Sequence, residues 1–568
     1  MPPSFSTQAA GLLVPVFALR ENHDLGIGDA VSMRAAIDFC AAQKFKVLQV
    51  LPVNETGGDN SPYNAISSVA LEPALLRMSV EDVPGLIDEH LAALVDHDIR
   101  EELGGPAVDY GRVKKLKHAL LRLAFTHFEN TATPAQRAEF EKFETANAGW
   151  LRPYTLFRTL LDRNHGDERW PLWNSAQRNP ADAEKWLHSL PENEREELIA
   201  HSEFYGYVQW VAYRQWEKTK AYATSKGVQL MGDIPFGVSR YSADVWAHQD
   251  LFDLQWSGGA PPEKYFQTDP FTTRWGQNWG IPLYPWETHR QQNYDWWKRR
   301  VTGTCRVFHA FRIDHVLGFF RVYSFPWTPE RNNEFINLSD EEAAHHTGGR
   351  LPRFIPRPDE PPASGEINAR EGWVLLRMIQ DAANDSIVVA EDLGMVPNYV
   401  RPLLLDLNIP GFTIPTFERN DSDRSYKSPK DYPSINLITY ATHDHQPLAV
   451  FYDDLVKRWT GPSGDEGWHE IQRLMDFLGW KHEDAPRLFT DALHHRLMEV
   501  MFESPCWLAV MMITDLLGTQ QRFNEPGVVG AGNWSQRLDR PLKAYLDDPS
   551  YATRVKGCTE LIASTGRG

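Results

Sequence analysis

Eight short apolar runs, several of them preceded by stretches with helical periodicity, limit what this chain can fold into more than any other feature of its 568 residues. The runs are Leu12–Phe17, Val47–Leu51, Gln229–Ile234, Val307–Asp314, Ile387–Glu391, Phe412–Pro415, Asn436–Thr442 and Leu508–Asp515. Their length and near-continuous apolar character suit strands covered on both faces. Helical patterns at Ala30–Gln43, Tyr207–Lys226 and Trp373–Ala383 precede several of them. Strands alternating with helices form a parallel sheet, and eight of them point to an α/β TIM (β/α)8 barrel.

The spacing of the runs is uneven. About 175 residues lie between the second and third, far more than one crossover needs. They carry helical patterns of their own at Gly111–Phe125, Pro134–Ala146 and Ala181–Leu198, so residues 60–205 are expected to form a largely helical insertion subdomain. A second interruption, 335–371, holds PRFIPRPDEPPASGE and reads as a Pro-rich surface insertion. Residues 1–568 are then a single barrel with excursions. The balance of 58 basic against 76 acidic residues gives 58 − 76 = −18, without a basic cluster, which argues against nucleic acid and anionic membranes as partners. No apolar run reaches the ~18 residues of a membrane span. The N-terminus lacks the features of a signal peptide, and four scattered cysteines suit a reducing, cytoplasmic location.

The chemistry is written at the ends of the runs. The third ends in Gly232-Asp233-Ile234, the fourth in Arg312-Ile313-Asp314-His315, the fifth in Ala390-Glu391-Asp392, and the seventh leads into Thr442-His443-Asp444-His445. In a barrel these ends converge on one face, where active sites are built. A single such carboxylate could simply cap the helix that follows; four are better explained by one acidic pocket. Metal binding is one use for it, since His309, Asp314, His315, His443, Asp444 and His445 are ligand types, although no H-E-x-x-H spacing occurs. Glycosidic chemistry is the other, with one carboxylate nucleophile and one protonated carboxyl acid. The aromatic content, 20 Trp, 19 Tyr and 28 Phe, favours the second use, because flat apolar faces suit sugar rings as well as cores. A G-x-S-x-G elbow, a P-loop and a strand-linked G-x-G-x-x-G are absent.

Several ordered motifs resemble the amylomaltases, the 4-α-glucanotransferases of glycoside hydrolase family 77. They are Leu25-Gly26-Ile27-Gly28-Asp29, Ser61-Pro62-Tyr63, the stretch from Tyr207 through Leu254, Gly259-Ala260-Pro261-Pro262, Asp515-Leu516-Leu517-Gly518, Asn524-Glu525-Pro526-Gly527 and Asn533-Trp534. The resemblance implies a TIM barrel with helical insertions, maltooligosaccharides and α-glucans as substrates, and no metal or other cofactor. By motif it implies Asp314 as nucleophile, Glu391 as general acid/base and Asp444 as the carboxylate that stabilises the transition state. It further implies His443, Tyr63, Gln277, Trp279 and Asn524 as substrate contacts, with Asp233 either a sugar contact or an ion-pair partner. Arg312 precedes Asp314 by two residues and so shares its strand face, placed to favour the ionised carboxylate. The expected reaction is retaining transfer of α-1,4-glucan segments through a covalent glucosyl-enzyme on Asp314; an α-glucan hydrolase would use the same carboxylates. Two positions depart from the common family pattern. Ile281 replaces an Asn in Trp-Gly-Asn-Pro, and His445 replaces the frequent Asn after Thr-His-Asp.

Overall fold

The computed structural model describes residues 5–263, 269–526 and 532–568. Part of the Pro261–Trp279 loop, expected near the acceptor, lies outside them, as does Gly527 of the Asn524 motif. The strands are β1 (Ala9–Leu13), β2 (Val47–Gln49), β3 (Gln229–Ile234), β4 (Asp253–Ala260), β5 (Gln277–Leu283), β6 (Ala310–Ile313), β7 (Val322–Phe325), β8 (Arg353–Ile355), β9 (Ile387–Ala390), β10 (Phe412–Thr413), β11 (Leu437–Ile438) and β12 (Leu508–Met512).

Eight of them form one sheet in the order β10-β11-β12-β1-β2-β3-β6-β9, parallel at every pairing. Neighbours in the sheet are successive in the chain once the other four strands are set aside, which is the winding of a TIM barrel. The two ends of the sheet meet where Ala390 N–H donates to the Pro410 carbonyl at 2.8 Å, and the ring closes there. Its strands are covered on both faces: Leu12, Leu48, Leu230 and Phe311 on one, and Leu13, Met231, Val389, Leu437 and Leu508 on the other, are all buried.

All eight apolar runs contribute a strand, but the strands are shorter at the edges. The first run ends its ladder at Leu13 and turns into a 3₁₀ helix, Val16–Ala18, because Pro15 has no N–H to give the sheet. Val307 belongs to the preceding helix, Asp295–Val307, and β12 gives way to a helix at Ile513. Where the chain enters the first long helix, Ala30–Ala42, the Asp29 carboxylate caps it by accepting from Val31 and Ser32 N–H. Gly28 lies so near the Val16 carbonyl that a Cβ there would come within 1.8 Å of it, so no other residue fits.

Between β2 and β3 the chain forms helices Asp88–Leu94, His97–Leu103, Tyr110–Thr131, Pro134–Arg163, Pro180–Ser189 and Glu192–Ser225. The last has 34 residues and runs unbroken from the insertion to the barrel, so position 205 falls inside a helix and not at a boundary. Pro153 lies within Pro134–Arg163 and cannot donate to the Gly149 carbonyl; Arg299, on the barrel helix Asp295–Val307, donates to that carbonyl instead at 2.9 Å.

The remaining strands form a second, antiparallel sheet in the order β5-β4-β7-β8, which no apolar run anticipates. It has its own small core of Phe271, Trp275, Phe325, Trp327, Phe335 and Ala343. Segment 335–371 is more than a loop. It contributes a helix, Asp340–His346, then β8, and then the start of the helix Pro362–Ala383.

Candidate active site

Strand register assembles the centre of the site. Asp233 on β3 and Arg312 on β6 are directly paired residues, and Arg312 and Asp314 share one strand face. The guanidinium therefore reaches both carboxylates, Asp233 Oδ2 at 2.5 Å and Asp314 Oδ1 at 2.6 Å. Burial alone would lower the Arg312 pKa, but these two charges hold it well above its ordinary value. Asp233 is buried and is pushed up to about 6 by that burial, against the pull of Arg312. Its second oxygen, Oδ1, has no partner among the described residues.

Glu391 follows Ala390, which is paired with Ile313, so Asp314 and Glu391 come next on adjacent strands. Two backbone donors fix the Glu391 carboxyl, His315 N–H at 2.8 Å and Leu393 N–H at 2.9 Å. His315 adopts the left-handed conformation, φ 47° and ψ 57°, where the chain turns sharply after Asp314. Burial pushes Glu391 up to about 8; Arg312 opposes the rise and Asp314 adds to it. The carboxyl is therefore mostly protonated at neutral pH. Burial lowers the His315 imidazole to about 4, so it is neutral there.

On the opposite side, His443 Nε2 lies 3.1 Å from Asp444 Oδ2, and Asn524 donates to Asp444 Oδ1 at 2.6 Å. Burial alone would raise Asp444, yet His443, Asn524 and Arg312 hold it well below the usual carboxylate range. Tyr63, in the loop after β2, joins the two halves. Its ring stacks on His443 with centroids 4.9 Å apart, and its hydroxyl donates to Asp233 Oδ2 at 2.7 Å.

Trp279 and Gln277 come from β5 of the second sheet. They contact each other (Trp279 Nε1–H to Gln277 Oε1, 3.1 Å), and Trp279 meets the His315 ring edge-on at 4.9 Å. Trp279 is 38% exposed, an unusual state for a large aromatic and one that leaves a face open at the mouth of the barrel. Gly280, at φ +80°, lies within β5 where the strand's register against β4 shifts, between Asn278 and Ile281. Ile281 does not face the carboxylates. It packs so tightly on Gly237 and Gly258 that a Cβ at either would clash with it. His445 hydrogen-bonds Thr442 and lies against the exposed Phe417 ring at 5.2 Å.

Some residues of the site have no role that the sequence motifs assign. Arg522 donates to the Asp444 carbonyl at 3.0 Å, Trp534 lies 5.7 Å from the Tyr63 ring, and Asp392 accepts from Phe412 N–H at 2.6 Å across the barrel seam. Asp392 was visible only as a neighbour of Glu391; for Arg522 no local signal exists. Of the metal-ligand types, His309 is engaged at the other end of β6 with Thr224 and the Leu230 N–H. Among the described residues no group of three His, Cys, Asp or Glu is placed to hold a metal ion.

A TIM barrel with one protonated and three further carboxyl groups at its C-terminal mouth, beside an open aromatic face, defines a carbohydrate-active enzyme. A family profile described as 4-alpha-glucanotransferase matches residues 14–543. The chain belongs to the 4-alpha-glucanotransferase, or amylomaltase, family of hexosyl-transferring enzymes. It is 29% identical to a 4-alpha-glucanotransferase of Chlamydia pneumoniae over 97% of this chain and 94% of that one. It is 33% identical to a 4-alpha-glucanotransferase of Oryza sativa subsp. japonica over 99% of this chain and 70% of that one. In fold it matches the amylomaltase from Streptococcus agalactiae in complex with acarbose at a TM-score of 0.75 and 22% identity, covering 99% of this chain and 100% of that one.

Proposed function

We propose that the protein transfers segments of α-1,4-glucan from donor maltooligosaccharides to acceptor glucans or glucose, with retention, through a covalent glucosyl-enzyme on Asp314. One observation carries this reading. A carboxylate paired to Arg312 and a protonated carboxyl group, Glu391, follow paired residues on neighbouring strands. Such strands lie about 4.8 Å apart, in keeping with the ~5–5.5 Å between the two carboxyl groups of a retaining enzyme.

Glu391 gives its proton to the leaving glycosidic oxygen while an Asp314 oxygen attacks the anomeric carbon, so the donor C–O bond breaks as the glycosyl ester forms. Glu391, now ionised, takes the proton from the acceptor 4-hydroxyl, whose oxygen displaces Asp314 and re-forms an α-1,4 bond. Asp444, held ionised, offsets positive charge on the sugar ring in the transition state. His443, Tyr63 and Asn524 surround that ring with donors and an apolar face, and the free Asp233 oxygen is an acceptor for a sugar hydroxyl. Trp279 and Gln277 line the mouth, where an acceptor must outcompete water.

The test is the product profile from maltotriose. Oligosaccharides longer than three glucose units are expected together with glucose and maltose. Glucose and maltose alone would make the protein a hydrolase.

A further inference from the structure

The Pro-rich segment between β7 and β9 reaches the two loops that carry the reacting carboxyl groups. Arg321 lies on the stretch that follows Asp314, just past the 3₁₀ helix Val316–Phe319, and its side chain is buried. Its Nη2 donates to the Met395 carbonyl at 3.3 Å, on the loop that follows Glu391. Its Nε donates to Asp359 Oδ2 at 2.5 Å, and Phe354 of the same segment covers the guanidinium at 3.9 Å. The other oxygen of Asp359 accepts from the Tyr399 hydroxyl at 2.7 Å, again from the Glu391 side.

One carboxylate thus grips both loops, with an oxygen for each. Asp359 is itself held from behind: Asn368, on the helix Pro362–Ala383, donates to its Oδ1 at 3.1 Å. Charge-assisted bonds of this kind to a buried guanidinium are among the stronger side-chain contacts. The retaining mechanism tolerates little change in the spacing of its two carboxyl groups, and a displacement of about 1 Å costs on the order of 10²-fold in rate.

We propose that Asp359 is a positioning residue for the transfer reaction, bracing the loop after Asp314 against the loop after Glu391 through Arg321 and Tyr399. It touches neither substrate nor the reacting atoms. The proposal rests on Asp314 and Glu391 being the reacting pair. It also gives the Pro-rich insertion a task within the catalytic cycle.

The experiment compares Asp359→Asn and Tyr399→Phe with the unsubstituted chain, using maltotriose as substrate. Asp359→Asn is expected to lower kcat about tenfold with KM changed less than twofold, and Tyr399→Phe to do the same to a smaller extent. The thermal midpoints should fall by no more than a few degrees. A residue that only supports the fold would lower the amount of folded enzyme without changing kcat per folded molecule. Unchanged kcat in Asp359→Asn, or a change confined to KM, overturns the brace. If Asp314→Asn abolishes turnover while Asp359→Asn leaves it intact, the brace alone fails. If turnover survives Asp314→Asn, the assignment of the reacting pair fails and the brace falls with it.

Discussion

The backbone N–H of His315 donates to the carboxyl of Glu391 at 2.8 Å, so the residue after one expected catalytic group holds the other. The bond spans two adjacent strand ends and places Glu391 where burial raises its pKa to about 8. Turnover of maltotriose should therefore persist through neutral pH and fall as pH rises through about 8, where the acid loses its proton. A rate–pH profile from 6 to 10 measures this; a rate that climbs across that interval contradicts the role of Glu391 as acid.

The same raised pKa makes Glu391 a stability liability at high pH. The folded protein binds this proton more tightly than the unfolded chain, whose ordinary value is 4.5. Its contribution to stability is complete below that value and is lost as pH rises through about 8. Glu391→Gln should lower kcat by about 10²–10⁴-fold yet melt higher than the parent at pH 9, with the gap narrowing toward pH 5. Calorimetric melting of both proteins across that range tests the sign.

Removing the expected nucleophile separates binding from chemistry. Asp314→Asn should reduce turnover by roughly 10⁴-fold or more and leave glucan binding detectable by titration calorimetry. The same substitution with turnover intact refutes its role.

Arg312 serves Asp233 and Asp314 from two nitrogens of one planar group. A lysine has one ammonium on a flexible stem and cannot reproduce that fork. Arg312→Lys should fold but lose roughly 1–3 kcal/mol of stability, since one buried acceptor goes unmet, and kcat should fall at least tenfold. Equal urea midpoints and equal rates would show that charge alone suffices.

Trp279 contributes an open face and little core, so its loss should act on substrate affinity. Trp279→Ala is expected to raise KM for maltooligosaccharides about 3–10-fold, the equivalent of an aromatic contact worth ~1 kcal/mol, while the thermal midpoint stays within about a degree or two. A midpoint that collapses would mark it as a packing residue.

Much of the barrel can be read from the chain because a strand buried on both faces must be continuously apolar. A polar residue at its end, such as Asp314 or Glu391, then stands out. The second sheet lacks that signal. Its strand β4 includes Ser257, Gly258 and Gly259, has an irregular register against β5, and is recognisable only once its partners are present. The same holds within the site. Asp233, Asp314, Glu391 and Asp444 are visible as side chains at strand ends, but the donors that fix Glu391 are main-chain N–H groups of His315 and Leu393, which any residue except proline would supply. Arg522 reaches Asp444 from a loop 78 residues away in sequence, a relation set by the pairing of β11 with β12.

The proline inside the helix Pro134–Arg163 has a consequence for how freely this protein can vary. By withholding one donor, Pro153 leaves an acceptor on the Gly149 main chain, and Arg299 of the barrel uses it. The anchorage between insertion and barrel at this point is written in backbone on one side, but the residue that supplies it is not indifferent: a Cβ at position 149 would lie 3.2 Å from Arg299 Nη1, so the glycine leaves the guanidinium its room. The junction therefore depends on three positions at once, a proline at 153, a glycine at 149 and an arginine at 299, while the surface around them is free of that constraint.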